Sequence, residues 1–120
     1  MHPELEILLQ LQDLKAQRRE LEEDHAERQV EVQEFNIDVA RAIEELDRKI
    51  QEMEEQLSPA IRSRYRRISE GRGRAVVPVI NGICYGCFES IPTAVAGDIR
   101  QNATLRHCEH CGRFLYILPG

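Results

Sequence analysis

The stretches "ICYGCFE" (residues 83–89) and "HCEHCGR" (residues 107–113) contain all of the cysteines in the chain. Two residues separate the cysteines within each pair, and twenty separate the pairs: Cys84, Cys87, Cys108 and Cys111. A spacing of two lets one tight turn direct both sulfurs at a common ion, and Gly86 and Gly112 supply the relaxed backbone that such turns need. The pattern predicts one tetrahedral Zn²⁺ ion held by four thiolates. Because four thiolates leave no open coordination position, the ion would be structural.

Other uses of four cysteines fit this sequence less well. Redox chemistry by one Cys-x-x-Cys pair needs a βαβ context, which is missing here. Disulfides are rare in reducing compartments. Iron–sulfur ligation stays open as an alternative, although the spacing of the two pairs suits a zinc ribbon better. His107 and His110 flank the second pair, but four cysteines make them unnecessary as ligands, and we expect them either to support the ligands from behind or to face solvent.

The composition suggests a small domain with an extended helical part. The chain has 120 residues, of which 31% are charged, with no tryptophan, three tyrosines and three phenylalanines. That mix suits a long solvated helix better than a large compact core. The segment "MHPELEILLQLQDLK" (residues 1–15) has no basic region before its apolar residues and carries carboxylates among them. It therefore resembles neither a signal peptide nor a membrane span, and we expect a cytoplasmic protein with no membrane partner.

Charge divides the chain into two unlike halves. Residues 1–57 carry 7 basic and 17 acidic side chains, net −10, whereas residues 58–120 carry 9 basic and 4 acidic side chains, net +5. A zinc ion with four thiolates would add −2 and leave the second half at about +3. The first half would repel polyanions and the second half would attract them.

A long helical region precedes the cysteines. Strong helix formers fill residues 4–58, which contain no glycine and no proline. Apolar residues follow two coiled-coil seams, the first at Ile7, Leu11, Leu14 and Leu21 and the second at Val39, Ile43, Leu46, Ile50, Met53 and Leu57. Alternating apolar residues with Asn36 and Asp38 between the seams predict a turn near residues 31–37. The result would be an antiparallel helical hairpin. One continuous helix of about 80 Å, paired in a parallel dimer, is the alternative.

The remaining elements are short. Ser58 and Pro59 end or restart a helix, and Gly71 and Gly73 form a hinge before a strand at residues 75–80. Pro78 predicts that this strand lies at a sheet edge. Asn81-Gly82 predicts a tight turn, residues 113–118 a partner strand, and Pro92 the start of a short helix. The predicted fold is α+β, with a coiled-coil helical hairpin at residues 1–70 and a four-cysteine zinc ribbon at residues 71–120.

Arginines cluster where the two predicted domains meet. Six fall within thirteen residues, with a tyrosine among them: Arg62, Arg64, Tyr65, Arg66, Arg67, Arg72 and Arg74. Guanidinium groups suit bidentate contact with phosphate, and Tyr65 has a ring that can stack on a base. These residues are our candidates for binding nucleic acid or an acidic protein. The alternative is that the arginines pair with the acidic helices or are simply solvated.

The segments "SPAIRSRYRRI", "GRAVVPVINGICYGCF", "IPTAV" and "CEHCGRFLY" resemble bacterial C4-type zinc-ribbon proteins in which a coiled-coil helical hairpin precedes the ribbon. The resemblance is close over about residues 58–118, and the four cysteines fall on the ligand positions of that family. Residues 1–57 are similar only in helical character. The resemblance implies a cytoplasmic, non-enzymatic protein linked to nucleic acid or transcription. Family members usually have a much longer coiled coil, so no surface on the missing part is transferred.

We therefore expect a non-catalytic adapter that binds RNA, DNA or transcription proteins through the ribbon and the arginine-rich junction. One alternative is a protein–protein scaffold that uses the hairpin. A special case of it is a factor associated with RNA polymerase, with Glu31, Glu34 and Asp38 near an acidic tip. The protein would be a monomer if the hairpin satisfies its own seam and a coiled-coil dimer if it does not. No nucleophile–base pair or phosphate loop is visible, so we predict neither an enzyme nor a small-molecule substrate.

Overall fold

The computed structural model describes residues 1–27, 33–96 and 102–118. Its elements, in chain order, are α1 (Pro3–Glu27), α2 (Gln33–Glu55), α3 (Pro59–Arg72), β1 (Val76–Ile80), β2 (Ile83–Cys84), α4 (Thr93–Ala96), β3 (Arg106–His107) and β4 (Phe114–Ile117). The fold is α+β, with helices, a small sheet and a four-cysteine cluster. Within these residues, no helix combines the length and the apolar character that a membrane crossing needs.

Helices α1 and α2 lie side by side in opposite directions. Arg18 of α1 forms an ion pair with Asp47 of α2, and Lys15 Nζ lies 3.5 Å from Glu54 Oε1. From the first of these pairs to the second, the residue number decreases on one helix and increases on the other, so α1 and α2 are antiparallel. The turn predicted near residues 31–37 overlaps α2 from residue 33 onward, and its earlier part lies outside the described residues.

The buried face of α1 differs from the predicted seam. Leu5, Leu8 and Leu11 are fully buried, whereas Ile7 and Leu14 are half-buried. The reason is that α1 packs against α3 and the sheet as well as against α2, so its apolar face is wider than a two-helix seam requires. The second predicted seam matches better, because Val39, Ile50 and Met53 of α2 are buried, and so is Leu57 just after the helix.

Helix α3 begins at Pro59 as predicted and ends before Gly73, but it includes Gly71, so the hinge predicted at Gly71 and Gly73 is wrong at Gly71. Ser58 precedes it in an extended conformation, Pro59 occupies its first turn, and Gly73 after its last residue has φ +76°. The end of α2 is held by Arg62, whose guanidinium donates hydrogen bonds to three backbone carbonyls, those of Glu54, Glu55 and Leu57, at 2.8–2.9 Å. These bonds satisfy carbonyls that a helix end leaves without partners.

The sheet has the order β2-β1-β4-β3. Strands β1 and β4 are parallel, with Val76 opposite Phe114, and both short strands are antiparallel to their neighbours. The predicted tight turn is confirmed, since Asn81 and Gly82 have φ of 51° and 75°. The edge position predicted from Pro78 is wrong, because β2 flanks β1. Proline is tolerated there because β2 pairs with Val79 and Ile80 of β1, so no ladder bond to β2 needs an N–H at Pro78, whose carbonyl accepts from Tyr85 N at 3.0 Å.

Two groups of buried side chains lie against the sheet. The helical core joins α1, α2 and α3 to the sheet through Ala75, Val76 and Phe114. The cysteine core contains buried residues around the first and third cysteines: Val77, Val79, Cys84, Ile91, Cys108, Leu115 and Ile117. Neighbouring strand residues point to opposite faces, which is why Val76 and Val77 belong to different cores. The helical core includes residues from both sides of the predicted domain division after residue 70, and that division stays a prediction.

Candidate metal centre

The four cysteine sulfurs converge on one point. All four Sγ atoms lie within 4.8 Å of one another. Cys84 Sγ is 3.8 Å from Cys111 Sγ, and Cys87 Sγ is 3.7 Å from Cys108 Sγ. A disulfide needs a sulfur–sulfur distance of about 2.05 Å, so all four are free thiols. The prediction that these residues form one cluster is confirmed, and the cluster has the composition and the size to hold one metal ion.

Two loops with the same hydrogen-bond pattern build the cluster. In the first cysteine loop (residues 84–89), Cys84 N donates to Glu89 O at 3.0 Å and Phe88 N donates to Cys84 O at 2.6 Å. In the second cysteine loop (residues 108–113), Cys108 N donates to Arg113 O and Gly112 N donates to Cys108 O, both at 2.8 Å. Each loop therefore presents two sulfurs from one closed turn, and Phe88 and Gly112 occupy equivalent positions.

That equivalent position requires a left-handed backbone. Phe88 has φ +63° and Gly112 has φ +79°. Glycine adopts this conformation without steric cost, whereas a residue with a Cβ atom is destabilised there by about 1 kcal/mol or more. The sequence identified Gly112 as a turn residue and gave no sign that Phe88 adopts the same conformation.

The protein environment affects the thiols unequally. Burial raises the pKa of Cys84 to about 12, against hydrogen bonds from the backbone of Cys87 and Gly86. Burial would also raise the pKa of Cys111, but hydrogen bonds from the backbone N–H and the guanidinium of Arg113, together with the neighbouring thiols, lower it to about 7. A buried thiol with a raised pKa ionises at neutral pH only when a cation compensates the charge. The cluster is thus suited to a divalent ion.

Arg113 connects the two cysteine loops. Its Nε donates to Arg74 O at 3.0 Å. The same side chain lies against the first loop, because a Cβ placed on Gly86 would be 2.9 Å from Arg113 Cδ and 3.1 Å from Val77 Cγ2. Gly86 is therefore needed for close packing and not for an unusual φ. Arg113 was not among the predicted site residues, and the sequence signal for it is its position directly after Gly112, the turn glycine of the second pair.

The histidines lie apart from the sulfurs. His107 and His110 are both exposed, and the cluster of potential ligands within the described residues contains cysteines alone. His2 instead accepts a hydrogen bond from Glu4 N on its Nδ1 at 3.1 Å. These positions agree with the expectation that histidine is not needed as a ligand.

The predicted arginine cluster separates into structural and exposed members. Arg62 holds the end of α2, and Arg66 Nη2 lies 3.7 Å from Glu54 Oε2 while its side chain stays 58% exposed. Arg64 reaches the second cysteine loop, with Nη1 4.0 Å from the position of a Cβ on Gly112. Arg67 and Arg74 are exposed. The side chain of Arg72 lies outside the described part of the molecule.

Tyr65 does not offer its ring to a base. It is only 1% exposed and belongs to the helical core, and Lys15 Nζ lies 4.5 Å from its ring centroid. The stacking role predicted for Tyr65 is therefore wrong. Its spacing with Ile61 and Ile68 on α3 is the signal that places it on the buried face.

Comparisons with known proteins support the fold at a coarse level. No protein-family model matches the chain, and no curated protein matches it. The chain is similar to the HP0958 protein of Helicobacter pylori, with 25% identity and a TM-score of 0.63 over 90% of this chain and 46% of that protein. It also matches CT398 of Chlamydia trachomatis, with 23% identity and a TM-score of 0.47 over 81% of this chain and 44% of that protein. The chain thus spans less than half the length of these two bacterial proteins, and HP0958 shares its fold.

Proposed function

We propose that the chain is a helical hairpin followed by a zinc ribbon of the bacterial C4 type. A tetrahedral ion with bonds of about 2.3 Å to four sulfurs places those sulfurs about 3.8 Å apart. The distance of 3.8 Å between the sulfurs of Cys84 and Cys111 and that of 3.7 Å between the sulfurs of Cys87 and Cys108 agree with this value. Zn²⁺ prefers four thiolates in structural sites, and the antiparallel contacts between α1 and α2 support the hairpin.

The function that we infer is that of a non-catalytic, cytoplasmic adapter that binds nucleic acid as part of transcription-linked processes. The observation that carries this proposal is the positive charge of α3, because the ion pairs of the described residues include neither Arg64 nor Arg67. Arg64 lies against the second cysteine loop, and Arg67 is exposed on the same helix. Guanidinium groups bind phosphate, and a metal held by four thiolates has no position for a substrate.

Binding to fluorescein-labelled single-stranded RNA and duplex DNA, measured by anisotropy at two salt concentrations, tests this function. We expect the wild-type affinity to fall steeply with salt, because released counterions drive phosphate binding. The double variant Arg64→Glu with Arg67→Glu should lose binding. A matched control is Arg41→Glu with Arg48→Glu, since both are exposed arginines of α2 and the change in net charge is the same.

Two results would contradict the proposal. Equal loss in both double variants would show that total charge, and not the junction, determines binding. Absence of wild-type binding to both probes would replace the proposal with a protein–protein scaffold that uses the coiled-coil hairpin. Retained zinc content in every variant, measured by inductively coupled plasma mass spectrometry, shows that the ribbon is intact in each comparison.

A further inference from the structure

Two aromatic side chains stand exposed on the first cysteine loop. Tyr85 is 45% exposed and Phe88 is 69% exposed. Apart from Met1 at the start of the chain, they are the large hydrophobic residues that the described part of the molecule leaves exposed. Their ring centroids are 5.5 Å apart and the rings are tilted by 51°. With these exposed fractions, a large part of each ring remains accessible to a ligand.

Phe88 is unfavourable for the folded state in two ways. It exposes an apolar ring. It also has a left-handed backbone conformation, whereas the equivalent position in the second loop is a glycine, Gly112. The aromatic contact that the described residues show for this ring is with Tyr85, and Phe88 still remains 69% exposed. A strained, exposed aromatic residue on a rigid metal-binding loop is an indication of function.

The surroundings of the aromatic pair favour an anionic partner. Arg113, whose donors contact Arg74 O and Cys111, keeps its positive charge beside this loop, with Nη1 3.0 Å from the position of a Cβ on Gly86. Residues 58–120 carry 9 basic and 4 acidic side chains. Glu89, which is exposed beside Phe88, is the nearest acidic neighbour in the chain and opposes this charge.

We propose that Tyr85 and Phe88 form a stacking surface for unpaired bases of a single-stranded nucleic acid, with the phosphates directed toward the positive charge of Arg113. The inference rests on the proposed function and specifies the class of nucleic acid that the ribbon binds. Base–aromatic stacking requires a free base face, which a duplex does not offer along its length. Two tilted rings 5.5 Å apart can each receive one base of an extended strand.

The first test uses the absence of tryptophan in the chain. Phe88→Trp introduces a single tryptophan at the proposed surface, and its emission reports stacking directly. We expect oligouridylate of about twelve nucleotides, a typical site size, to quench this emission. Its affinity for the variant should be at least equal to its affinity for the wild-type protein. Quenching should be much weaker with a blunt DNA duplex of equal length. Binding of oligouridylate without quenching would overturn the inference.

A second variant separates stacking from folding. Phe88→Gly places at the first loop the residue that its equivalent has in the second loop, so the melting temperature should rise while the affinity for oligouridylate falls about tenfold. Tyr85→Ala should also weaken binding. Neither variant should change the slope of affinity against salt, because neither removes a charge.

The outcomes distinguish this inference from the proposed function. If wild type binds oligouridylate and Phe88→Gly binds equally well, the stacking surface is refuted while nucleic-acid binding stands, and the aromatic pair is assigned to a protein partner. If wild type binds neither oligouridylate nor duplex, both proposals fail. Tenfold weaker binding by a more stable Phe88→Gly protein supports both.

Discussion

The helical core and the cysteine core share one small sheet but are held together by different means. The helical core buries large side chains from three helices, including Leu5, Leu8 and Phe114. The cysteine core has valine, isoleucine and leucine around two buried thiols and contains no aromatic residue. We expect apolar burial to stabilise the helical core without a metal, whereas a core as small as the cysteine core needs a further link. If the cysteine cluster holds the proposed zinc ion, the ion supplies that link.

The shared sheet limits how independent the two cores are. Val76 and Phe114 pair in register and face the helices, whereas Val77 and Leu115, one step along the same strands, face the cysteines. Unfolding of the cysteine core would therefore expose one face of β1 and β4 to solvent. The following changes act on one core at a time and are ordered from the largest expected effect to the smallest.

Cys108→Ser should have the largest effect, because it removes a buried ligand of the proposed zinc site. Structural zinc contributes an apparent free energy of about 10–16 kcal/mol at neutral pH. We expect the variant to lose its ion and the cysteine core to lose amide protection against hydrogen exchange, while α1 and α2 keep theirs. Metal analysis and hydrogen exchange by mass spectrometry measure both effects.

Removal of zinc from wild type with a strong chelator should reproduce that pattern, and added zinc should reverse it. His110→Ala is the matched control, since this exposed residue lies in the same loop and outside the sulfur cluster. Loss of zinc in the control, or cooperative unfolding of α1 together with the cysteine core, would contradict the distinction between the two cores.

Leu8→Ala should destabilise the helical core without affecting the metal. Leu8 is fully buried, and truncation to alanine leaves a cavity that costs about 2–5 kcal/mol. Urea denaturation of the zinc-loaded protein measures the change. Gln10→Ala, at an exposed position of the same helix, should change the free energy of unfolding by less than about 0.5 kcal/mol. Equal effects of the two substitutions would show that α1 is not packed as described.

The sequence was sufficient where the signal was local. The turn at Asn81-Gly82, the start of α3 at Pro59 and the grouping of the cysteines each depend on a few adjacent residues. The strands predicted at residues 75–80 and 113–118 are confirmed to within a residue at each end. Short-range backbone preferences and ligand spacing determine all of these features.

The sequence was not sufficient where distant segments meet. The burial of Leu5 and Leu8 depends on α1 contacting three other elements, and two seams gave no sign of that arrangement. The sequence does not distinguish Arg62 from the other arginines of α3, because its role depends on the end of α2 lying beside it. The equivalence of Phe88 and Gly112 is visible only in the hydrogen bonds, which have the same pattern in both cysteine loops.

Arg113→Met should weaken the link between the two cysteine loops. The methionine keeps an apolar stem but loses the donors that contact Arg74 O and lower the pKa of Cys111. Loss of a residue that supports a ligand typically weakens metal binding by about 10–100-fold. Competition with a chromophoric chelator measures the zinc affinity. Arg74→Met is the control, because Arg113 bonds to the backbone carbonyl of Arg74 and that carbonyl remains.

Arg62→Met should have the smallest effect, and it acts on the helical side. The substitution removes charge-assisted hydrogen bonds to three carbonyls at the end of α2, which at this half-buried site should cost about 1–2 kcal/mol. Arg67→Met, on the exposed face of the same helix, should leave the free energy of unfolding unchanged and reduce the salt dependence of nucleic-acid binding. The pair thus separates an arginine that stabilises the fold from one that is proposed to bind phosphate. If Arg67→Met destabilised the protein as much as Arg62→Met, the exposed arginines of α3 would be part of the fold, and the proposed phosphate surface would lose its basis.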